Sequence, residues 1–344
     1  MKYLSICSGI ETAGVAWYPL GFECLGLSEI DAFRSAVLQY HYPEVKNYGD
    51  FTKIRQNNLP EKPDVIVGGT PCATFSIAGL RDGLESGRGN LALEFIILVQ
   101  KIRPKWVLWE NVPGVLSSNR GRDFGTFLGA LAECGYGFAY RVLDTQYVRT
   151  QSFPRAIPQM RRRVFVVGCL GDWRSAASVL FDRSIMSWDS PPRRKSLQEK
   201  GDFNSEKITF RSTRSDKRIQ DDVASTIAAR DYKSATDLVM MRSGQTGANG
   251  KPWKCGASYT LTANDRYTLL DMRLKRTNKL RRLTAIECER LQGLPDNYTK
   301  IPYNNKTADY CPVGKRIEAC GRGMSVNVME FLGMQLQRVE NNGV

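Results

Sequence analysis

Asp64-Val65-Ile66-Val67-Gly68-Gly69-Thr70-Pro71-Cys72 is a short apolar, β-branched run that ends on two glycines and a Pro-Cys pair. Such a run, bounded by turn residues, is the pattern of a strand buried on both faces, and its glycines and proline turn the chain into a tight loop. In an open α/β sheet the loops at the carboxyl ends of strands are where ligands bind. Cys72 therefore stands in a nucleophile's position. A buried structural cysteine is the alternative, and the two glycines and the Pro-Cys pair on a strand-end loop weigh against it. Backbone amides and nearby arginines favour the thiolate form that attack requires.

Outward from this stretch, strands and amphipathic helices alternate. Strands are expected at Tyr3 to Cys7, Glu23 to Glu29, Trp106 to Glu110, Tyr140 to Asp144 and Arg163 to Val167. Helices are expected from Thr12, from Ala32, over Leu91 to Ile102 and over Phe124 to Cys134. The alternation predicts a doubly wound α/β sheet. After about Gly171 the texture turns polar, with strand candidates at Ala224 to Ala228, Leu238 to Met241 and Tyr259 to Thr262, which predicts a separate β-rich module. Helical patterns resume at Thr284 to Leu291 and Val326 to Leu336.

Composition narrows the class. The 344 residues are 42% hydrophobic, enough for one large core and a smaller unit, and carry a formal charge of +14, which favours a polyanionic partner. Between Arg273 and Arg282 six of ten residues are Lys or Arg with no acid among them, a phosphate-contacting strip in appearance. The nine cysteines lack Cys-x-x-Cys spacing and have one histidine for company, His41, so no metal site or disulfide framework is expected. No apolar run is long enough to span a membrane and no leader pattern opens the chain, so a cytoplasmic protein is expected.

Trp109-Glu110-Asn111-Val112-Pro113 ends the strand after the helix that follows Cys72. His41, flanked by Tyr40 and Tyr42, reads as a packing or surface residue, which leaves acid/base work to a carboxyl. One held in an apolar pocket can donate to a ring nitrogen, and Glu110 is the candidate.

With Pro71-Cys72 and Glu110-Asn111-Val112 come Gln159-Met160-Arg161-Arg162-Arg163, then Arg282-Leu283-Thr284 through Glu287, and Arg290-Leu291-Gln292-Gly293 to Pro295. In this order the blocks resemble those of DNA cytosine-5 methyltransferases of a phage-like branch, over nearly all of the chain except the polar module. The resemblance implies a class I methyltransferase-like fold and covalent catalysis on a flipped-out cytosine of double-stranded DNA. It implies that Cys72 adds to carbon 6, that Glu110 holds ring nitrogen 3 and the exocyclic amine, and that Arg163 meets the cytosine carbonyl with Arg161 beside it. Pro71, Asn111, Gln159, Arg282 and Arg290 are expected among the substrate contacts.

The same resemblance implies S-adenosyl-L-methionine (SAM) as donor. Its methionyl portion is expected at Ser8, Gly9 and Ile10, the loop between the first strand and helix, with Glu11 in the same pocket. Glu29 suits the ribose hydroxyls, Ile30 the adenine face and Asp50 the adenine amine. Read alone, each acid is as well a helix cap or a surface charge.

The chain departs from the family at Cys7, where Phe is frequent, at Glu11 and Thr12, where glycines are frequent, and at Ala73. The last motif departs most: Gly321-Arg322-Gly323-Met324-Ser325-Val326-Asn327-Val328, anchored on Asn327-Val328, puts Arg322 at the family's Asn position, with Ser325 nearby. A guanidinium about 5 Å from a sulfonium costs roughly 3 kcal/mol at an effective dielectric near 20. Carboxy-S-adenosyl-L-methionine (carboxy-SAM) would turn that repulsion into an ion pair and give 5-carboxymethylcytosine. The alternative is an Arg322 turned to Glu11 or another acid.

The organisation expected is a catalytic and cofactor domain over 1–171, a target-recognition domain over 172–319 and a C-terminal segment, 320–344, that returns to the first, in a monomer. A catalytically dead DNA-binding module and a tRNA-directed enzyme of the same fold are the rival readings; the chain lacks the additional signature of the latter.

Overall fold

The computed structural model describes residues 1–71, 91–181, 206–212, 218–221, 237–242, 269–270, 280–281 and 283–342, the five short segments between 206 and 281 as backbone only. Cys72, Arg282 and the strand candidates at 224–228 and 259–262 lie outside these residues. The chain forms two compact units, residues 1–143 with 162–187 and 328–344, and residues 144–161 with 188–327.

In the first unit the elements run β1 (Lys2–Ile6), α1 (Thr12–Trp17), β2 (Glu23–Gly26), α2 (Ala32–His41), β3 (Val65–Gly68), α3 (Leu91–Ile102), β4 (Trp106–Asn111), α4 (Arg122–Glu133), β5 (Tyr136–Asp144), β6 (Arg162–Leu170) and α5 (Trp173–Phe181). They build a six-stranded sheet in the order β2-β1-β3-β4-β6-β5. Every residue of β3 is buried, as a central parallel strand covered by helices on both faces must be. Ile66, Val107 and Trp109 meet Phe95 of α3 and Phe127 of α4 in the core on one face, where the Trp109 and Phe127 rings stack 4.3 Å apart.

The expected doubly wound α/β class is the observed one. β1 pairs in parallel with β2 and β3, and β3 with β4, while β6 runs antiparallel to β4. Because the chain leaves β1 toward β2 on one side and returns at β3 on the other, the order switches beside β1, where an open sheet leaves a crevice. The reversal of β6 brings its amino end, Arg162 and Arg163, to that same edge, since Val164 pairs with Asn111 and Phe165 with Glu110.

The last helix, α8 (Val326–Asn342), closes this unit from residue 328 onward. Trp17 Nε1 donates to the Met329 carbonyl at 2.7 Å, and Gly333 is small because the Trp17 ring lies where its side chain would be. Among the described residues no helix is long and apolar enough to cross a membrane.

In the second unit β7 (Glu206–Ser212), β8 (Arg218–Asp221), β9 (Asp237–Arg242), β10 (Leu269–Leu270) and β11 (Leu280–Arg281) form a sheet in the order β11-β10-β9-β7-β8. The Leu238 to Met241 strand falls in β9. Helix α6 (Ala285–Gln292) begins at a capping box: the Thr284 hydroxyl accepts from Glu287 N, and the Glu287 carboxylate accepts from Thr284 N. The basic-acidic motif that opens this helix is therefore a helix start.

A buried ion pair ties α6 to α7 (Val313–Arg322). Glu289 is fully buried, accepts from Asn297 N, Thr299 N and the Thr299 hydroxyl, and pairs with Arg316 at 2.9 Å. Removing one partner of such a pair leaves an uncompensated charge and costs about 3–5 kcal/mol. Arg316→Met should lower the second unit's resistance to urea by that order, and Glu289→Gln with Arg316→Met should recover part of it. A double variant no more stable than the single one would show the pair is not what holds α6 to α7.

Candidate active site and cofactor cradle

At the edge where β1, β3 and β4 end, glycines bring the backbone together. A side chain at Gly68 would overlap the Ile6 carbonyl, and one at Gly69 would meet Glu110 Oε2 at 2.8 Å and the Glu110 carbonyl at 3.1 Å. The loop after β3 therefore lies directly on the Glu110 carboxylate. Two side chains of β4 fix it there: Trp109 Nε1 donates to the Thr70 hydroxyl and Asn111 Nδ2 to the Thr70 carbonyl, both at 3.0 Å. Pro71 follows, exposed, and leads into Cys72.

Glu110 faces Arg163 of β6. Arg163 Nε lies 3.0 Å from Glu110 Oε1, with both side chains about a tenth exposed, an ion pair whose N–H is not aligned for a hydrogen bond. Arg163 also donates from Nη1 to the Arg162 carbonyl at 2.8 Å. The structure brings these two residues, each expected at the cytosine, to one place. Asn111, expected at the substrate, is buried with its amide turned inward, since Val112 N donates to Oδ1 as Nδ2 holds Thr70. Its position makes it a positioning residue for the Pro71 loop.

On the other side of the crevice Gly9 adopts φ +61 with open space where a side chain would stand. Ser8 is locked under it: its amide donates to the Ser28 carbonyl, its hydroxyl donates to the Ser5 carbonyl, and Ser28 N donates back to that hydroxyl. Glu29 is nearly buried; Oε2 accepts from Gly9 N at 3.0 Å, and Oε1 accepts from Ile30 N, Asp31 N and Arg34 Nη2. Oε2, with a single donor, retains acceptor capacity for a hydroxyl. Ile30 is an apolar side chain 79% exposed, whereas Ile10 is wholly buried. Asp50 accepts from Thr52 N and the Thr52 hydroxyl through Oδ1 and leaves Oδ2 3.9 Å from Lys53.

Glu11 is buried at a left-handed φ of 57 and caps α1. Its carboxylate accepts from Ser5 Oγ at 2.6 Å, Gly14 N at 2.8 Å and Tyr3 OH at 3.3 Å. Arg322 does not turn to it: Arg322 pairs with Glu318 one turn back on α7 at 3.1 Å.

In the second unit Arg161 is buried and donates to the carbonyls of Gly323, at 2.7 Å, and Gly321, which bracket Arg322. Ser325 takes a hydrogen bond from the Thr145 hydroxyl at 2.7 Å and donates to Gln292. Asn327 Nδ2 donates to the carbonyls of Thr145 and Val148. Arg161 and Ser325, expected at substrate and cofactor, thus pin the Gly321 to Ser325 turn. Gln159 is fully buried, and among the described residues its side-chain amide meets no hydrogen-bond partner. Arg290 is held by Asp296 through Nε and Nη2.

Sequence reading gives no role to Thr70, Trp109, Arg34 and Thr145, which act by holding other residues: Trp109 holds the Thr70 hydroxyl, Arg34 the Glu29 carboxylate and Thr145 the Ser325 hydroxyl. Burial pushes the thiols of Cys7 and Cys24 up to about 12 and that of Cys169 to about 11, and raises those of Cys134, Cys288 and Cys320. These cysteines are poor thiolates at neutral pH.

The two glycines should separate fold from chemistry. Gly68→Ala collides with backbone and should destabilise the protein by several kcal/mol, about the upper range for a core clash. Gly69→Ala displaces the movable end of Glu110 and should leave the melting temperature within a few degrees while lowering kcat; a stable Gly69→Ala enzyme of undiminished kcat would remove the close approach from the mechanism.

The C-5 cytosine-specific DNA methylase family matches residues 1–338. A protein of Escherichia phage P1 named DNA N-6-adenine-methyltransferase is 31% identical over 98% of this chain, and the chain spans 61% of that relative's length. Type II methyltransferase M.NgoPII of Neisseria gonorrhoeae is 26% identical over 92% of each chain. Among solved structures, S. pombe Dnmt2 methyltransferase has the same fold, with a TM-score of 0.59 at 15% identity over 98% of this chain and 99% of that one. With a family match that runs from β1 into α8 through each strand-end loop described above, the chain belongs to the C-5 cytosine-specific DNA methylases.

Proposed function

We propose that this protein transfers a methyl group to carbon 5 of a flipped-out cytosine in double-stranded DNA, through a covalent adduct on Cys72, with SAM as donor. The observation that carries the reading is the Glu110–Arg163 pair beneath the Gly69 to Pro71 loop, which Trp109 and Asn111 hold through Thr70.

Cys72 as thiolate adds to carbon 6 of the ring. Glu110 holds ring nitrogen 3 and the exocyclic amine, and Arg163 both orients Glu110 and meets the ring carbonyl, so the electron pair displaced from the double bond makes carbon 5 nucleophilic. SAM supplies an electrophilic methyl group on a sulfonium. Loss of the carbon 5 proton to a base and expulsion of Cys72 restore the ring.

Ser8, Gly9 and Ile10 would hold the methionyl portion, Glu29 the ribose, Ile30 and Asp50 the adenine. The open face at Gly9, the spare acceptor on Glu29 and the bare Ile30 side chain support that assignment. The second unit, with the basic Arg273 to Arg282 stretch, is assigned target recognition, its cations including Arg282 on phosphates. Gln159 supports a substrate role, because a buried amide without a partner costs about 1–3 kcal/mol until a ligand or water meets it. The working unit is a cytoplasmic monomer.

Pairing with Glu318 neutralises Arg322 and relieves the repulsion that would weaken ordinary SAM, which favours methyl over carboxymethyl transfer. The adenine N6 chemistry in the phage P1 relative's name needs no thiolate, so the Cys72, Glu110 and Arg163 set favours cytosine.

Three measurements test the reading. Mass analysis of nucleosides from DNA incubated with equal SAM and carboxy-SAM should return 5-methylcytosine; 5-carboxymethylcytosine, or methyladenine, as the main product would overturn the donor or the base. On duplex DNA carrying 5-fluorocytosine, the intact protein should form an adduct stable to denaturation and Cys72→Ser should form none. Glu110→Gln should lower kcat by about 10²–10⁴ while DNA affinity stays within a few fold. No adduct from the intact protein would support a dead binding module.

A further inference from the structure

Among the described residues Glu11 is the acid beside the crevice that no cation pairs. It directly follows Ser8, Gly9 and Ile10, with its amide donating to the Ser8 carbonyl; it is buried, and its carboxylate's three partners, Ser5 Oγ, Gly14 N and Tyr3 OH, are neutral donors. The titratable groups around it are Tyr3 of β1, Cys24 of β2 and Tyr42 after α2, and among the described residues no lysine, arginine or histidine pairs with it. By contrast Glu29, Glu110 and Glu289 each hold an arginine. A buried carboxylate paired with no described cation, on the residue that follows a turn assigned to a cationic ligand, is a counter-charge in waiting.

We infer that Glu11 is the counter-charge for the sulfonium donor and sets the affinity of this turn for it, so that donor binding and ionisation of Glu11 are linked. The inference rests on the SAM assignment above. Burial raises the Glu11 carboxyl to about 7, so near neutral pH a fraction of the free protein carries it protonated. A bound cation favours the carboxylate, lowers that value and releases a proton. Affinity for the donor therefore rises with pH through neutrality, about tenfold for each unit by which binding lowers the pKa. The neutral-sulfur product, S-adenosylhomocysteine, gains far less.

Isothermal titration calorimetry of the full chain with SAM and with S-adenosylhomocysteine, at pH 6, 7 and 8 and in two buffers of different ionisation enthalpy, reads both effects. The intact protein should favour SAM over the product by about tenfold more at pH 8 than at pH 6, with about half a proton released per SAM bound at pH 7. Glu11→Gln should flatten that ratio toward the profile set by the ligands' own ionisations, which both proteins share. Should Glu11→Gln fail to fold, Glu11→Gly replaces it, since a left-handed φ suits glycine. If both ligands bind and the profiles of intact protein and variant coincide, the counter-charge role is refuted and the cofactor assignment stands. If neither ligand binds the intact protein, the cofactor assignment fails and takes this inference with it.

Discussion

Ile6, Gly68 and Trp109 stand side by side across three parallel strands, and that register makes the strand ends level. It holds because Gly68 has no side chain to push against the Ile6 carbonyl. The consequence reaches the chemistry directly: the loop after β1, the loop after β3 and the last residues of β4 open on one edge. The same pairing reaches β6, whose reversed direction is what delivers Arg163 to Glu110. A slip of one residue between β3 and β4 would turn Trp109 and Asn111 to opposite faces and release Thr70 from both.

Within that frame the protein treats its buried acids in two ways. Glu29, Glu110 and Glu289 are each matched to a guanidinium, and their geometry is fixed by the match. Arginine suits this because its planar fork can face a carboxylate and donate to a carbonyl together, as Arg163 lies 3.0 Å from Glu110 while donating to the Arg162 carbonyl. Glu11 is satisfied by hydrogen bonds alone, which fixes its position and leaves its charge open. Position and charge are separable properties of a buried carboxyl, and the crevice uses both.

Much of the first unit was legible from sequence because hydrophobic period reports burial. Leu91 to Ile102 is the helix the pattern predicts, and Val65 to Gly68 is the strand its unbroken apolar run predicts. Strand ends were off where pairing continues past the apolar run, as at Tyr136 to Phe138 of β5 and Gly168 to Leu170 of β6. Helix α7, with glycines at 314 and 321 and a lysine, two arginines and a glutamate among its ten residues, went unread: its stability comes from Arg316 on Glu289, a tertiary contact, more than from propensity. That Glu110 and Arg163 share one end of the sheet is legible because motif residues and strand ends coincide. The parts of Arg34 and Thr70 are not, since nothing local distinguishes an arginine that holds the Glu29 carboxylate or a threonine that accepts from two β4 side chains.

The residues of the last motif show why identity at an aligned position underdetermines role. Arg322 reads in sequence either as a charge aimed at the cofactor or as one turned to an acid, and its neighbours, Gly321 and Gly323, offer the carbonyls that Arg161 grips. Thr145, Gln292 and Ser325 complete the hold around that turn, and Asn327 ties the start of α8 to the carbonyls of Thr145 and Val148. A turn held through its backbone from both sides tolerates a change of side chain at its exposed residue, because the bonds that define it do not involve that side chain. The arginine can then take the nearest acid on its own helix, Glu318, without altering the turn. Variation at position 322 is in this view a consequence of how firmly Arg161 holds the positions on either side of it.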